Sequence, residues 1–164
     1  MAKKNICLVV AYDGTDFHGF QRQTNAASIQ ACIEQVCRYL PVADYDLRGG
    51  SDRCRVHARG QVVNFYGEGS IPTEKIPYAM KGYLPPEIAV LSAKEMPEHF
   101  SVRHDNVGKH YRYTIDNNRM HDPFGLRYAW FIRKPLDREA MKEGAAVLLA
   151  PMIFRPLKGR IRRL

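Results

Sequence analysis

The stretch that decides the fold is residues 5–12, NICLVVAY, which is followed by Asp13 and Gly14. A near-continuous apolar run of this length, closed by a turn pair, predicts a buried central β-strand. Two lysines precede the run, as in a signal peptide, but no small-residue cleavage site follows it. We therefore expect a cytoplasmic protein whose first strand lies inside a sheet.

A helix is predicted after this strand and a polar loop. Ser28 can cap it, and the following apolar residues recur at helical spacing, so that they share one face. These residues are Ile29, Cys32, Ile33, Val36 and Leu40. Pro41 then closes the helix.

The rest of the chain predicts four more strands and two more helices. The strands are expected at 61–66, 88–92, 110–116 and 129–132, and the helices begin near Pro72 and Asp137. This order predicts an α+β fold with a largely antiparallel sheet and helices on one face. We expect an N-terminal domain at 1–105 with the catalytic-loop region, the start of a second α+β domain at 106–149, and a basic tail at 150–164. Two strands and one helix leave that second domain incomplete.

Net charge favours a polyanionic partner, but only weakly. The 164 residues carry a net charge of +8, and five basic residues with no acid lie between 155 and 163. Without those five the net charge falls to +3. No apolar run approaches the roughly 18–20 residues of a membrane span, so no membrane partner is expected.

The four cysteines do not indicate a metal site. None forms a Cys-x-x-Cys pair, and no ligand spacing typical of zinc is present. Reduced, buried thiols are the expectation for Cys7, in an apolar run, and for Cys32, on an apolar helical face.

Five motifs, in order, carry a family resemblance. They are residues 12–23 (YDGTDFHGFQRQ), 28–30 (SIQ), 56–65 (VHARGQVVNF), 100–104 (FSVRH) and 109–115 (KHYRYTI). Each alone has low specificity, but in this order and spacing the chain, from about residue 6 to 149, resembles the N-terminal part of bacterial tRNA pseudouridine synthases that modify the anticodon stem-loop. The resemblance implies a pseudouridine-synthase-like fold and tRNA as the partner.

The activity implied is the isomerisation of uridine to pseudouridine, without cofactor or metal. The target base must leave its stack, which calls for basic and aromatic side chains. A carboxylate must attack or stabilise the reacting sugar or base. A homodimer is expected of the full-length family, whereas a shorter chain carries no firm expectation of one.

The resemblance also implies roles for individual residues. Tyr111 matches the tyrosine that contacts the substrate; an ordinary strand aromatic is the alternative. Arg22, Arg59 and Arg103 are candidates for phosphate contacts, with solvated arginines as the alternative. His57 is expected to be held by hydrogen bonds rather than to act in catalysis.

The catalytic loop departs from the family. Where the family has Gly-Arg-Thr-Asp-Ala-Gly, residues 50–55 are GSDRCR, so that Arg53 occupies the position of the nucleophilic Asp and Ser51 that of the Arg. The nearest carboxylate is Asp52, one residue early. A shift of one residue turns a strand side chain to the other face, and a catalytic group tolerates an error of only about 0.5 Å. Asp52 is therefore the catalytic candidate, in a chain expected to have little or no activity.

The genetic code supplies an explanation. Residues 50–55 can be encoded as GGG TCG GAC CGA TGC CGG. Translated from the second nucleotide, the string gives Gly-Arg-Thr-Asp-Ala and then GG, the first two bases of every glycine codon, which matches Gly-Arg-Thr-Asp-Ala-Gly. Residues 150–164 can be encoded so that translation from the third nucleotide gives Ala-His-Asp-Phe-Ser-Ala-Phe, with which the family continues. We expect two frameshifts: one compensated at Val56, and one that creates the basic tail and ends the chain early.

Two alternatives to a pseudouridine synthase remain open. One is a non-catalytic RNA-binding remnant that keeps Tyr111 and the basic loops. The other is a thiol enzyme that uses Cys54 and His57, although Cys54 itself lies in the shifted segment.

Overall fold

The computed structural model describes residues 3–40, 42–43, 47–49 and 54–149. The fold divides into two compact units, a first unit at Met1–His110 and a second unit from Tyr111 onward. The predicted tail at 150–164 lies outside the described residues. The domain organisation expected from the sequence stays a prediction.

An antiparallel sheet forms the centre of the first unit. Its strands are β1 (Lys4–Tyr12), β2 (Val42–Ala43), β3 (Arg48–Gly49), β4 (Ala58–Gly69) and β5 (Ile88–Met96). Their order is β2-β4-β1-β5, and β3 also pairs with β4. The run that the sequence singled out is therefore central, with β4 on one side and β5 on the other. The α+β class with an antiparallel sheet is confirmed.

The two faces of β1 differ although its sequence is apolar throughout. Ile6, Leu8, Val10 and Tyr12 alternate along one face and are buried. On the other face Cys7, Val9 and Ala11 are only half-buried. A strand alternates its side chains between faces, so the buried set identifies the face that carries the core.

Two helices supply the other side of this core. α1 (Ile29–Tyr39) begins at Ser28, whose Oγ accepts a hydrogen bond from the Ala31 amide at 3.3 Å, as the cap prediction required. α2 (Ile76–Lys81) starts later than expected, because a single 3₁₀ turn at Thr73–Lys75 precedes it. The helix residues in the core cluster are Ile29, Ile33, Val36, Cys37, Ile76 and Met80. Each buried side chain of this size contributes about 1.5–3 kcal/mol.

The second unit contains β6 (Ile115–Asp116), β7 (Trp130–Phe131) and α3 (Arg138–Leu148). β6 and β7 pair in parallel. The strand predicted at 110–116 is wrong except for its last two residues, and that at 129–132 is shorter than expected. The alternation of Tyr111 and Tyr113 suggested a half-buried strand, but both side chains are exposed and the pairing with β7 begins only at Ile115. Asp137 caps α3 through the amides of Glu139 and Ala140, as predicted.

The two units differ in how far their side chains are buried. Among the described residues of 111–149 none is buried, whereas the first unit has a continuous core. None of the helices in the described part of the chain is long and apolar enough to cross a membrane.

Candidate active site

The candidate catalytic loop, residues 50–55, connects β3 to the segment that enters β4. Residues 50–53 lie outside the described residues, among them Ser51, Asp52 and Arg53, but both flanks are described. At the N-terminal flank Gly49 pairs with Val63 of β4. At the C-terminal flank the Arg55 amide donates to the Phe17 carbonyl at 3.2 Å. The loop is therefore attached to the sheet at one end and to the segment after β1 at the other.

Arg55 has an unusual backbone conformation. Its φ is 61°. Among the described residues, no other residue except glycine has a positive φ. A β-carbon at such a φ costs roughly 1–2 kcal/mol, a cost that glycine does not incur. Position 55 is also where the family motif quoted above ends in glycine.

The polar turn after β1 is built around Asp13. Its Oδ1 accepts hydrogen bonds from the Thr15 amide at 2.9 Å and the Thr15 hydroxyl at 2.5 Å. The Phe17 amide closes the turn onto the Gly14 carbonyl at 3.1 Å. Phe17 and Phe20 are buried in the core. The buried rings of Phe17 and Phe20 anchor this turn. Asp13 and Gly14 then lie next to the residues that precede β4.

His57 lies against this turn. Its Nδ1 is 3.0 Å from Oδ1 of Asp13 and 3.2 Å from the Gly14 amide nitrogen. The expectation that hydrogen bonds hold His57 is confirmed. Both contacts involve Nδ1 of His57. The thiol hypothesis for Cys54 and His57 stays a prediction.

The three candidate phosphate-binding arginines all belong to the first unit. Arg59 on β4 and Arg103 in the segment after β5 are exposed. Arg22 Nη1 donates to Oε2 of Glu34 at 2.9 Å. Glu34 therefore competes with a phosphate for Arg22, whereas the other two arginines have side chains open to solvent. A role in RNA binding stays a prediction for all three.

A buried pair of asparagines holds the segment that carries Arg103. Asn5 Nδ2 donates to the carbonyls of Pro97 at 2.9 Å and Phe100 at 2.8 Å, and Asn64 Nδ2 donates to Asn5 Oδ1 at 3.0 Å. Asn64 Oδ1 in turn accepts from the Val102 amide at 3.3 Å. The sequence interpretation missed this pair. Its signal was the presence of an amide side chain in each of two apolar strands.

Tyr111 stands in the second unit. Its side chain is 65% exposed and precedes β6. An exposed phenol ring is free to stack on a base, but the role that the resemblance assigns to Tyr111 stays a prediction.

The cysteines have different environments. Cys37 is buried, and burial, assisted by the negative charge of Glu34, raises its pKa to about 12. Cys7 and Cys32 are half-buried rather than buried as expected, and their partial burial raises the pKa of both thiols. Cys54 is exposed. Within the described ranges, no group of three or more His, Cys, Asp or Glu residues could hold a metal ion.

The chain is similar to known proteins over most of its length. Residues 8–105 match the family model described as tRNA pseudouridine synthase. Relatives named tRNA pseudouridine synthase A are 36% identical over 156 residues in Thermoanaerobacter sp. (strain X514) and 40% identical over 152 residues in Brevibacillus brevis. A third, in Halalkalibacterium halodurans, is 38% identical over 153 residues.

These alignments differ in how much of each partner they cover. They include 94%, 92% and 92% of this chain, but 64%, 62% and 58% of the three relatives. The chain thus spans about three fifths of the length of the relatives it matches. The family model covers more than half of the chain and includes the turn after β1, the flanks of the candidate loop and the segment of Arg103. The chain belongs to the tRNA pseudouridine synthase family.

Proposed function

We propose that this chain descends from an enzyme that isomerises uridine to pseudouridine in the anticodon stem-loop of tRNA, and that it retains that enzyme's RNA-binding and loop-positioning parts. The observation that carries the proposal is the family match over residues 8–105. Within that match, both flanks of the candidate loop are attached to the fold.

The reaction breaks the bond between N1 of uracil and C1′ of ribose, and forms a bond between C5 and C1′. The proton on C5 leaves to solvent, and N1 takes a proton. A carboxylate from the candidate loop would attack the reacting nucleotide, and Tyr111 would pack on the displaced base. Arg59 and Arg103, with Arg22 when it exchanges Glu34 for a phosphate, would hold the backbone of the tRNA.

Arg53 makes the chain as written a poor catalyst. A guanidinium at the position of an anionic nucleophile inverts the local charge, and loss of a nucleophile costs many orders of magnitude in rate. Asp52 is the nearest carboxylate in the sequence. We expect it to support little turnover, because it is displaced by one residue.

A non-catalytic RNA-binding role is the second candidate. The occupation of position 53 by arginine favours it, since a cation can hold a phosphate but cannot act as the nucleophile. Release of tritium from tRNA labelled at C5 of uridine separates the two candidates. Turnover that Asp52→Asn abolishes would establish Asp52 as the nucleophile, and binding without release would establish the remnant.

Restoration of the family loop tests the ancestry itself. Changing residues 50–55 to Gly-Arg-Thr-Asp-Ala-Gly, and replacing residues 150–164 with the remainder of the Thermoanaerobacter relative, should produce tritium release. A control with Asn in place of the restored Asp should remain inactive. A folded, tRNA-binding chimera without release would refute the proposed function.

The remaining expectations form part of the same proposal. The partner is tRNA, the compartment is the cytoplasm, no cofactor is needed, and dimers form in the full-length family. The two frameshifts are tested by sequencing the gene, because codons that do not give the family residues in the shifted frame would exclude them.

A further inference from the structure

The turn after β1 contacts the C-terminal flank of the candidate catalytic loop through both backbone and side chains. We infer that Asp13, Gly14 and His57 form a clamp that positions this flank, and with it position 53. This inference rests on the proposed function, since it concerns the aim of the loop that would carry the nucleophile. Asp13 and His57 are thus positioning residues, not catalytic ones.

The backbone part of the clamp depends on Gly14. A β-carbon at this position would lie 2.8 Å from the carbonyl carbon of Val56, and closer still to the carbonyl oxygen. Such distances are not compatible with any other residue unless the backbone moves. The turn and the segment before β4 therefore touch at their main chains, and the hydrogen bond from Arg55 to Phe17 lies beside this contact.

The side-chain part of the clamp is centred on Nδ1 of His57, which lies between the Gly14 amide and Oδ1 of Asp13. When Nδ1 is unprotonated it accepts the hydrogen bond from the Gly14 amide, and when it is protonated it donates to Asp13 Oδ1. Asp13 is itself held by Thr15 and by its own amide, which donates to the Glu87 carbonyl at 2.9 Å, next to the start of β5. The imidazole is thus linked, through Asp13, to the residue that precedes β5.

The clamp is close along the chain to position 53, where the family has its nucleophile. Arg55 is two residues beyond that position, and β4 begins at Ala58, opposite Tyr12. A group in the loop that acts in catalysis would tolerate only about 0.5 Å of displacement, so the position of this flank bears on the proposed chemistry. At the other flank β3 is a two-residue strand that pairs only briefly with β4. The clamp is therefore a second attachment of the loop, on its C-terminal side.

Amide hydrogen exchange on the full chain, followed by NMR, tests the clamp without any need for activity. His57→Ala should accelerate exchange of the Arg55 and Gly14 amides about fivefold to tenfold, the value expected for loss of about one hydrogen bond. Amides of Leu8 and Val63, in the central strands, should keep their rates. His57→Asn, whose amide can occupy the place of Nδ1, should restore protection. His99→Ala, at an exposed histidine of the same unit, is the control.

A second measurement uses the restored chimera. There His57→Ala should lower kcat about tenfold with KM nearly unchanged, because tRNA binding does not depend on the aim of the loop, and His57→Asn should recover most of kcat. Four results would each overturn the clamp. In the exchange experiment they are unchanged exchange at Arg55, equal acceleration throughout the first unit, and failure of His57→Asn to rescue. In the chimera it is activity that is insensitive to His57→Ala. A chimera without turnover would refute the proposed function, and the exchange rates would still decide on the clamp.

Discussion

Arg55 has a φ of 61°, in the left-handed region, although it is not a glycine. Arg55→Gly should therefore stabilise the first unit by about 0.5–1 kcal/mol, the relief of the left-handed strain less the greater freedom of glycine in the unfolded chain. The free energy of unfolding from urea titration measures this change. Lys94→Gly, in a regularly paired part of strand β5 opposite Cys7, is the control and should destabilise by a similar amount. Equal effects of the two substitutions would contradict the strain.

The cysteine thiols should differ in reactivity according to burial. Cys54 is exposed and Cys37 is buried, with its pKa raised to about 12. The thiolate is the reactive form, so iodoacetamide should modify Cys54 first and Cys37 last in the folded protein. Peptide mass mapping during the reaction measures the order. In urea the difference should vanish; modification of Cys37 as fast as Cys54 in the folded protein would contradict the burial.

The raised pKa of Cys37 also predicts a pH dependence of stability. The folded state keeps its proton to about pH 12, whereas the unfolded thiol has its ordinary pKa of 9.0. The contribution of this group is complete below pH 9 and is lost as the pH rises towards 12. Cys37→Ala should therefore flatten the fall in stability above pH 9, as measured by urea unfolding at pH 8 and pH 10. An unchanged slope would contradict the raised pKa.

The contact between the turn after β1 and the start of β4 makes its own prediction. Gly14→Ala should destabilise the first unit by about 1–3 kcal/mol, because its β-carbon overlaps the Val56 backbone. Gly82→Ala is the control, since a β-carbon there meets no atom within 4 Å and its φ is −72°. That change should be neutral or stabilise by up to about 1 kcal/mol. Thermal unfolding followed by circular dichroism compares the two, and tolerance of Gly14→Ala would show that the contact is looser than described.

Elements whose own sequence pattern defines them were predicted correctly, whereas strands that depend on pairing with another strand were not. β1 and α1 were predicted correctly, because the apolar pattern of each matches the face that the core covers. β2 and β3 were missed, since two-residue strands have no periodicity and exist only where β4 pairs with them. The strand at 110–116 was overestimated for the converse reason: its alternation is present, but pairing starts only at Ile115.

At the scale of the molecule, the two units should differ in stability. No described residue of 111–149 is buried, whereas the first unit has a core of aliphatic and aromatic side chains. Limited trypsin digestion should therefore cut first in the second unit, for example after Arg112, Arg119 or Arg127, and leave a resistant N-terminal fragment. Intact mass spectrometry identifies the fragment. A resistant fragment that begins in the second unit would contradict this difference.

The sequence by itself determined the α+β class, the central strand, the capped ends of α1 and α3, and the family resemblance, because each depends on residues close together along the chain. The sequence also showed that Arg53 occupies the position of the family's Asp, because this requires only a comparison of residue types. Only the tertiary structure decided the contacts of His57 with Asp13 and Gly14, the buried pair of Asn5 and Asn64, and the positive φ of Arg55. Each of these depends on segments far apart in the sequence, and the folded sheet brings them together.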